Sequence, residues 1–323
     1  MDNSFKEDIA KKSQLLRATF IFQWIFSIIG IGLPPCLNLN LKLTRKQLLL
    51  LWFVFSIYSV ILIALVAWVV YINNVVVDVV VYNYDLDSIT SVLSISVNIT
   101  VAIVQVITQL MAFLKVNYLT VMYKRIAQLE HDILLYIQQY QWLRDDGLEM
   151  DYQKKCQKFS RQILIRFGLF SFAFGLLMCY VNYFLVSEIM SLKYKLLTII
   201  FALALQMKSI EYCIITQIID VFLETLHSSL THLKCEIVKN ERKLSMASFF
   251  NGKLMANQCL LNRVWLLVTN IEEYFSIPML ILYLYNGIAI THTINWSYVR
   301  SFEYNELDCC QACKYYGDKL DDV

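Results

Sequence analysis

Long runs of apolar residues alternate with polar and charged segments along the chain. A helix needs about 20 apolar residues to cross the hydrocarbon core of a bilayer. Five runs reach that length, at residues 48–71, 91–114, 167–186, 196–219 and 274–294. This pattern predicts an all-α fold, a polytopic helical membrane protein with one membrane domain over residues 1–323.

A sixth apolar run, at residues 18–33, is shorter and ends at Pro34-Pro35. Its length suits an interfacial or re-entrant helix, or a thin span. The non-crossing interpretation is favoured because it keeps the basic residues before the run on the same side as the other basic loops. No small-residue cleavage site follows the run, so we do not expect a cleaved signal peptide.

The basic residues are unevenly divided between the segments that separate the spans. Residues 1–47, 115–162 and 220–273 together hold 21 Lys and Arg, whereas 72–90, 187–195 and 295–323 hold five. Cytoplasmic segments of membrane proteins carry the excess of Lys and Arg. The distribution therefore predicts a cytoplasmic N-terminus, two long cytoplasmic segments and an extracellular tail over residues 295–323.

The cytoplasmic segments show helical periodicity of their own. Apolar residues recur at three- and four-residue steps over 116–140 and 218–237, with no Gly or Pro between them and the preceding spans. We expect both to continue those spans as helices. Their apolar faces would pack within one chain or form an oligomer contact, and the sequence favours neither. Residues 75–82 are rich in residues that favour β-strands, and they are compatible with a short strand or with the tip of the first span.

Composition excludes several classes of protein. Hydrophobic residues make up 58% of the chain, charged residues 17%, and the net charge is +2. A chain this apolar requires lipid as a partner, and nothing in its charge points to nucleic acid. No catalytic, nucleotide-binding or metal-binding motif occurs, so we expect no enzyme activity, no cofactor and no metal. The cluster of Cys309, Cys310 and Cys313 lacks the spacing of a zinc site and is read as incidental.

Polar residues inside the spans are the candidate binding groups, because polar side chains at membrane depth face a bundle interior or a wet cavity. In the second span they serve either helix–helix hydrogen bonding or a ligand cavity. In the fourth, Lys208 and Glu211 are three residues apart and can pair, as a structural ion pair or as part of a site. An amide and aromatic pocket would suit a small neutral or hydroxylated ligand. The candidate ligand-binding residues are Asn98, Gln105, Tyr180, Asn182, Tyr183, Gln206, Lys208, Glu211 and Asn286.

The triplet Asn295-Trp296-Ser297 is a glycosylation sequon on the segment predicted to lie outside. Its Asn295 is a candidate glycan acceptor, although it lies at the edge of the membrane.

The order and texture of these segments resemble the insect gustatory receptor family. IFQWIFSIIGIGLPP resembles the apolar N-terminal helix of that family, and RKQLLLLWFVFSIYSVILIALVAWVVY resembles its first span. The polar second span continuing into FLKVNYLTVMYKRIAQLEHDI, and the fifth entered through NQCLLNRVWLLVTNIEEYFSIPMLILYLY, follow the same pattern.

This resemblance implies a seven-transmembrane chemoreceptor of the cell membrane, a ligand-gated cation channel that detects small tastants in sensory neurons. It also implies a homo- or hetero-tetramer with other gustatory receptors. The family carries two further spans and a TYhhhhhQF signature (h, hydrophobic), which this sequence lacks. We therefore expect a form truncated after the fifth span. Such a chain could not form the pore by itself and would be non-conducting alone. The alternatives are a small-solute transporter and a membrane scaffold without a ligand.

Overall fold

The computed structural model describes residues 13–29, 45–84, 88–139, 147–180, 192–239 and 247–302. These residues form helices α1 to α7 and contain no strand. The helices are α1 (Gln14–Ile29), α2 (Arg45–Tyr84), α3 (Ser88–Leu114), α4 (Val116–Gln139), α5 (Gly147–Tyr180), α6 (Leu192–Lys239) and α7 (Ala247–Phe302). The all-α prediction is confirmed.

Five of the described helices, namely α2, α3, α5, α6 and α7, are long and apolar enough to cross a membrane. Their positions in the bundle differ. In the most apolar stretch of α6, 50% of the residues are buried, against 6% in that of α5. Helix α6 is therefore central, and α5 lies at the periphery with its apolar side chains exposed, as lipid contact requires.

The helices extend well beyond the predicted spans. Residues 75–82 are helical and belong to α2, so they form the tip of the first long helix. Helices α6 and α7 run without interruption over 48 and 56 residues. Only Lys115 separates α3 from α4, and its N–H still bonds the Met111 carbonyl at 2.9 Å, so the helical hydrogen-bond pattern is kept.

The main apolar core lies where α4, α6 and α7 meet. The predicted face of α4, from Leu119 to Ile137, is buried there, and Ile126 and Ile133 are completely covered. On α6, Phe222 and Leu226 join the same core, while Leu230 and Ile237 remain more than a third exposed. The apolar face of α4 is thus satisfied by packing within one chain.

Helix α1 begins at Gln14, four residues before the predicted apolar run, because its first turn is capped. The Ser13 hydroxyl accepts a hydrogen bond from the Leu16 N–H at 3.2 Å. The Glu130 carboxylate of α4 accepts bonds from the N–H groups of Gln14 and Leu15 and from the Ser13 hydroxyl. This carboxylate at a helix N-terminus holds α1 against α4, and α1 also packs on α5 and α6. Residues 30–33 of the predicted run lie outside the described residues.

Candidate functional site

A buried ion pair lies on α6 in the interior of the bundle. Lys208 Nζ and Glu211 Oε2 are 2.6 Å apart, and the two side chains are 3% and 2% exposed. Their i, i+3 spacing places them on one face of the helix, as the sequence predicts. Because neither charge reaches solvent, each depends on the other for neutralisation.

Aromatic residues of α7 complete the surroundings of Lys208. Its ammonium group donates a hydrogen bond to the Tyr274 hydroxyl at 3.1 Å. It also lies 4.5 Å from the centre of the Tyr274 ring and 4.9 Å from that of Phe275. Both distances are within the range of cation–π attraction. Lys208 is therefore held by one carboxylate, one hydroxyl and two aromatic faces.

Tyr123 of α4 is close enough to Glu211 and Tyr274 for both to act electrostatically on its hydroxyl. It is 4% exposed, and burial raises its pKa well above the usual value, with Glu211 and Tyr274 adding to the effect. Its hydroxyl therefore keeps its proton at physiological pH. We refer to Lys208, Glu211, Tyr274, Phe275 and Tyr123 as the α4–α6–α7 charge cluster.

A pair of amides joins α6 to α7 less than one turn from Lys208 along α6. Gln206 Nε2 donates to Asn286 Oδ1 at 2.7 Å. Gln206 is 8% exposed, and the neighbouring Leu205 packs with Leu282 and Tyr285 in a small apolar cluster. This direct bond leaves the second proton of the Gln206 amide and the amino group of Asn286 as further hydrogen-bonding groups.

The remaining candidate residues are spread over other parts of the bundle. Asn98 bonds Asn74 of α2 at 2.7 Å, so it links α3 to α2. Gln105 is buried on α3, and Tyr180 is 52% exposed at the end of α5. Asn182 and Tyr183 lie outside the described residues. The structure therefore brings together four of the candidates, Gln206 with Asn286 and Lys208 with Glu211.

The sequence analysis did not single out Tyr274, Phe275 or Tyr123. A possible signal for the first two was their place in EEYFSIP, where α7 changes from charged to apolar. Nothing local marks Tyr123, because its proximity to Glu211 depends on how α4 and α6 pack. Gln109 of α3 is 1% exposed, and neither its Oε1 nor its Nε2 has a hydrogen-bond partner.

A second polar cluster joins α3 to α7. The Ser94 hydroxyl accepts a hydrogen bond from Trp296 Nε1 at 2.9 Å and lies 3.1 Å from His292 Nε2. Asn295 Nδ2 donates to the Thr90 hydroxyl at 3.0 Å. The sequon is thus part of helix α7, and the acceptor nitrogen is engaged in a contact between helices. Glycosylation of Asn295 stays a prediction.

A cleft of about 290 Å³ opens between α6 and α7 beside the charge cluster. Phe275 belongs to both, because one contact of its ring is with Lys208 and another, edge to face, is with Tyr212 in the cleft at 5.4 Å. The cleft is lined by Tyr212, Thr216, Ile219, Val268, Ile271, Glu272, Phe275, Ser276, Met279 and Tyr283. Among the described residues, no three His, Cys, Asp or Glu side chains are grouped so that they could hold a metal ion.

Comparison with known proteins points to one family. The Drosophila melanogaster protein named "Putative gustatory receptor 98b" is 29% identical over 317 residues, which cover 94% of this chain and 72% of that protein. "Putative gustatory receptor 98c" from the same organism is 25% identical over 94% of this chain and 71% of its own length. No solved structure matches the chain. Residues 16–314 match the 7tm chemosensory receptor family, and the chain therefore belongs to that family.

Proposed function

We propose that this chain is a gustatory chemoreceptor subunit that recognises a small neutral or hydroxylated tastant inside its helical bundle. Membership of the chemosensory receptor family supports a receptor role. The observation that carries the choice of ligand is the neutralised Lys208–Glu211 pair beside the Gln206–Asn286 amides. Because the two charges satisfy each other, the groups left to bind a ligand are amides, hydroxyls and aromatic faces.

The proposed binding region lies between α3, α6 and α7. The other candidates, Asn98, Gln105, Tyr180, Asn182 and Tyr183, are proposed as ligand contacts from the sequence alone. In this proposal the N-terminus is cytoplasmic, in accord with the distribution of Lys and Arg. The receptor conducts cations as a tetramer with further gustatory receptor subunits, as the resemblance implies.

Direct binding tests the receptor role without requiring conduction. The detergent-purified chain is screened against a panel of sugars, polyols and bitter compounds by thermal shift. A bound tastant raises the melting temperature, because it binds the folded state alone. Gln206→Leu removes the amide donor on α6 and should abolish that shift. The control Gln258→Leu, at an exposed position of α7, should not. No shift with any compound, or equal shifts in both variants, contradicts the proposed site.

Conduction is tested separately by calcium imaging. The chain is expressed alone, together with full-length gustatory receptors, and as a fusion with the last two spans of such a receptor. We expect tastant-dependent calcium entry in the second or third case. A ligand that binds in the thermal-shift assay without calcium entry in any of the three would support recognition and contradict the channel role.

A further inference from the structure

One face of α5 is basic at its beginning and apolar along the rest of its length. Lys154, Lys158 and Arg161 are all exposed and follow each other at four- and three-residue steps. At 100° per residue they form one stripe, within about 40° of a common direction. The same stripe continues through the exposed apolar residues Ile165 and Phe172.

The acidic residues of α5, Glu149 and Asp151, both precede the stripe. Residues 152–180 contain five Lys and Arg and no Asp or Glu. Lys155, by contrast, is engaged within the protein, because it pairs with Asp151 at 2.7 Å and donates to Ser228 of α6 at 2.7 Å. In the described part of the chain, no ion pair joins a carboxylate to Lys154, Lys158 or Arg161. These three cations therefore remain available to a partner.

The change from basic to apolar residues locates the membrane surface on α5. Leu164 is 58% exposed and begins the apolar run 164–180. Arg166 is the one charged residue of that run and lies on another side of the helix, about 110° from the stripe. With a rise of about 1.5 Å per residue, Arg161 lies ~4.5 Å, Lys158 ~9 Å and Lys154 ~15 Å from Leu164 along the helix. The headgroup layer on each side of a bilayer is roughly 5–7 Å thick. Arg161 therefore reaches the phosphate plane, while Lys158 and Lys154 lie beyond it.

We propose that this stripe binds the headgroup of a polyphosphoinositide in the adjoining leaflet. A phosphate attached directly to the glycerol backbone suits Arg161, and the ring phosphates of inositol project outward toward Lys158 and Lys154. A headgroup with a single phosphate and a carboxylate would leave the outer two lysines without a partner. The inference goes beyond tastant recognition and rests on the proposed topology, in which the start of α5 is cytoplasmic, the side on which basic segments next to a span bind such lipids.

The test is a binding titration on the purified full chain in a neutral detergent. A fluorescent short-chain phosphatidylinositol 4,5-bisphosphate is added, and its anisotropy is followed as the protein concentration rises. The variant K154Q/K158Q/R161Q should bind roughly a hundredfold more weakly, since each of the three basic residues near the surface contributes about fivefold. The charge-retaining variant K154R/K158R/R161K should bind like the unaltered chain. Lys234→Gln, which removes one exposed charge from α6, should also leave binding unchanged.

Competition identifies the source of the phosphates. Unlabelled phosphatidylinositol 4,5-bisphosphate should displace the probe at far lower concentration than short-chain phosphatidylserine or soluble inositol trisphosphate. Equal displacement by phosphatidylserine would mean that the stripe recognises only the net charge of the headgroup. Equal displacement by soluble inositol trisphosphate would indicate a soluble ligand. Either result overturns the proposal, as does unchanged binding by K154Q/K158Q/R161Q. Circular dichroism confirms that the variants remain helical, which their exposed positions favour.

Discussion

The buried Lys208–Glu211 pair allows the sharpest test of how the bundle is held together. Lys208→Met leaves the Glu211 carboxylate, which is 2% exposed, without a cation. Removing one partner of a buried pair typically destabilises a protein by about 3–5 kcal/mol. We expect Lys208→Met to fall in that range.

Glu211→Gln should cost less than Lys208→Met. In that variant Lys208 keeps the Tyr274 hydroxyl at 3.1 Å and two aromatic faces at 4.5 and 4.9 Å. Desolvated cation–π contacts contribute about 2 kcal/mol or more. We therefore expect a loss of about 1–3 kcal/mol. Replacing both residues by methionine should bring the stability back to within about 1 kcal/mol of the unaltered chain, because a well-packed apolar pair can substitute for a buried ion pair.

The assay is thermal unfolding of the purified chain in detergent, followed by tryptophan fluorescence. A loss of 1 kcal/mol lowers the melting temperature by roughly 2 °C in a domain of this size. The expected order of melting temperatures is Lys208→Met lowest, Glu211→Gln next, and the double methionine variant near the unaltered chain. If both single changes shift it by less than about 2 °C, or if the double change costs as much as the two singles together, the coupling deduced from the geometry is wrong.

Three further predictions concern the packing of the helices. Ser94→Ala takes the hydrogen-bond partner from the buried Trp296 and the partly buried His292 on α7 and should cost about 2–4 kcal/mol by thermal unfolding. Ser96→Ala, whose hydroxyl bonds a carbonyl of its own helix, should cost under about 0.5 kcal/mol. Burial raises the pKa of Glu130 in the folded chain, although its hydrogen bonds oppose the shift. The folded state then holds the proton to higher pH than the unfolded chain does. Stability should therefore fall as the pH rises from the pKa of Glu130 in the unfolded chain to its pKa in the folded chain, and Glu130→Gln should flatten this profile of melting temperature against pH. Ile126→Ala, at a fully covered site, should cost about 2–5 kcal/mol, and the control Leu135→Ala, at a site 40% exposed, distinctly less.

Apolar run length and periodicity determined most of the fold. Each long run lies in a helix over the residues that the structure describes, because lipid leaves no alternative for an unpaired backbone. The three- and four-residue spacing over 116–140 identified the buried face of α4 correctly. The same spacing was less reliable at the end of α6, where Leu230 and Ile237 stay partly exposed. Periodicity shows which residues share a face, and only the neighbouring helices decide how far along that face is covered.

The candidate site divides in the same way. The Lys208–Glu211 contact follows from helix geometry, because residues three apart lie on one face, and the sequence was sufficient to predict it. The bond between Gln206 and Asn286 joins residues 80 positions apart, and the aromatic faces around Lys208 come from α7. Such contacts depend on how α6 and α7 are rotated and shifted against each other. The sequence by itself thus determined the helices and the local ion pair, while the tertiary structure decided which distant aromatic and amide groups surround it, because their positions are set by packing between helices and not by spacing along the chain.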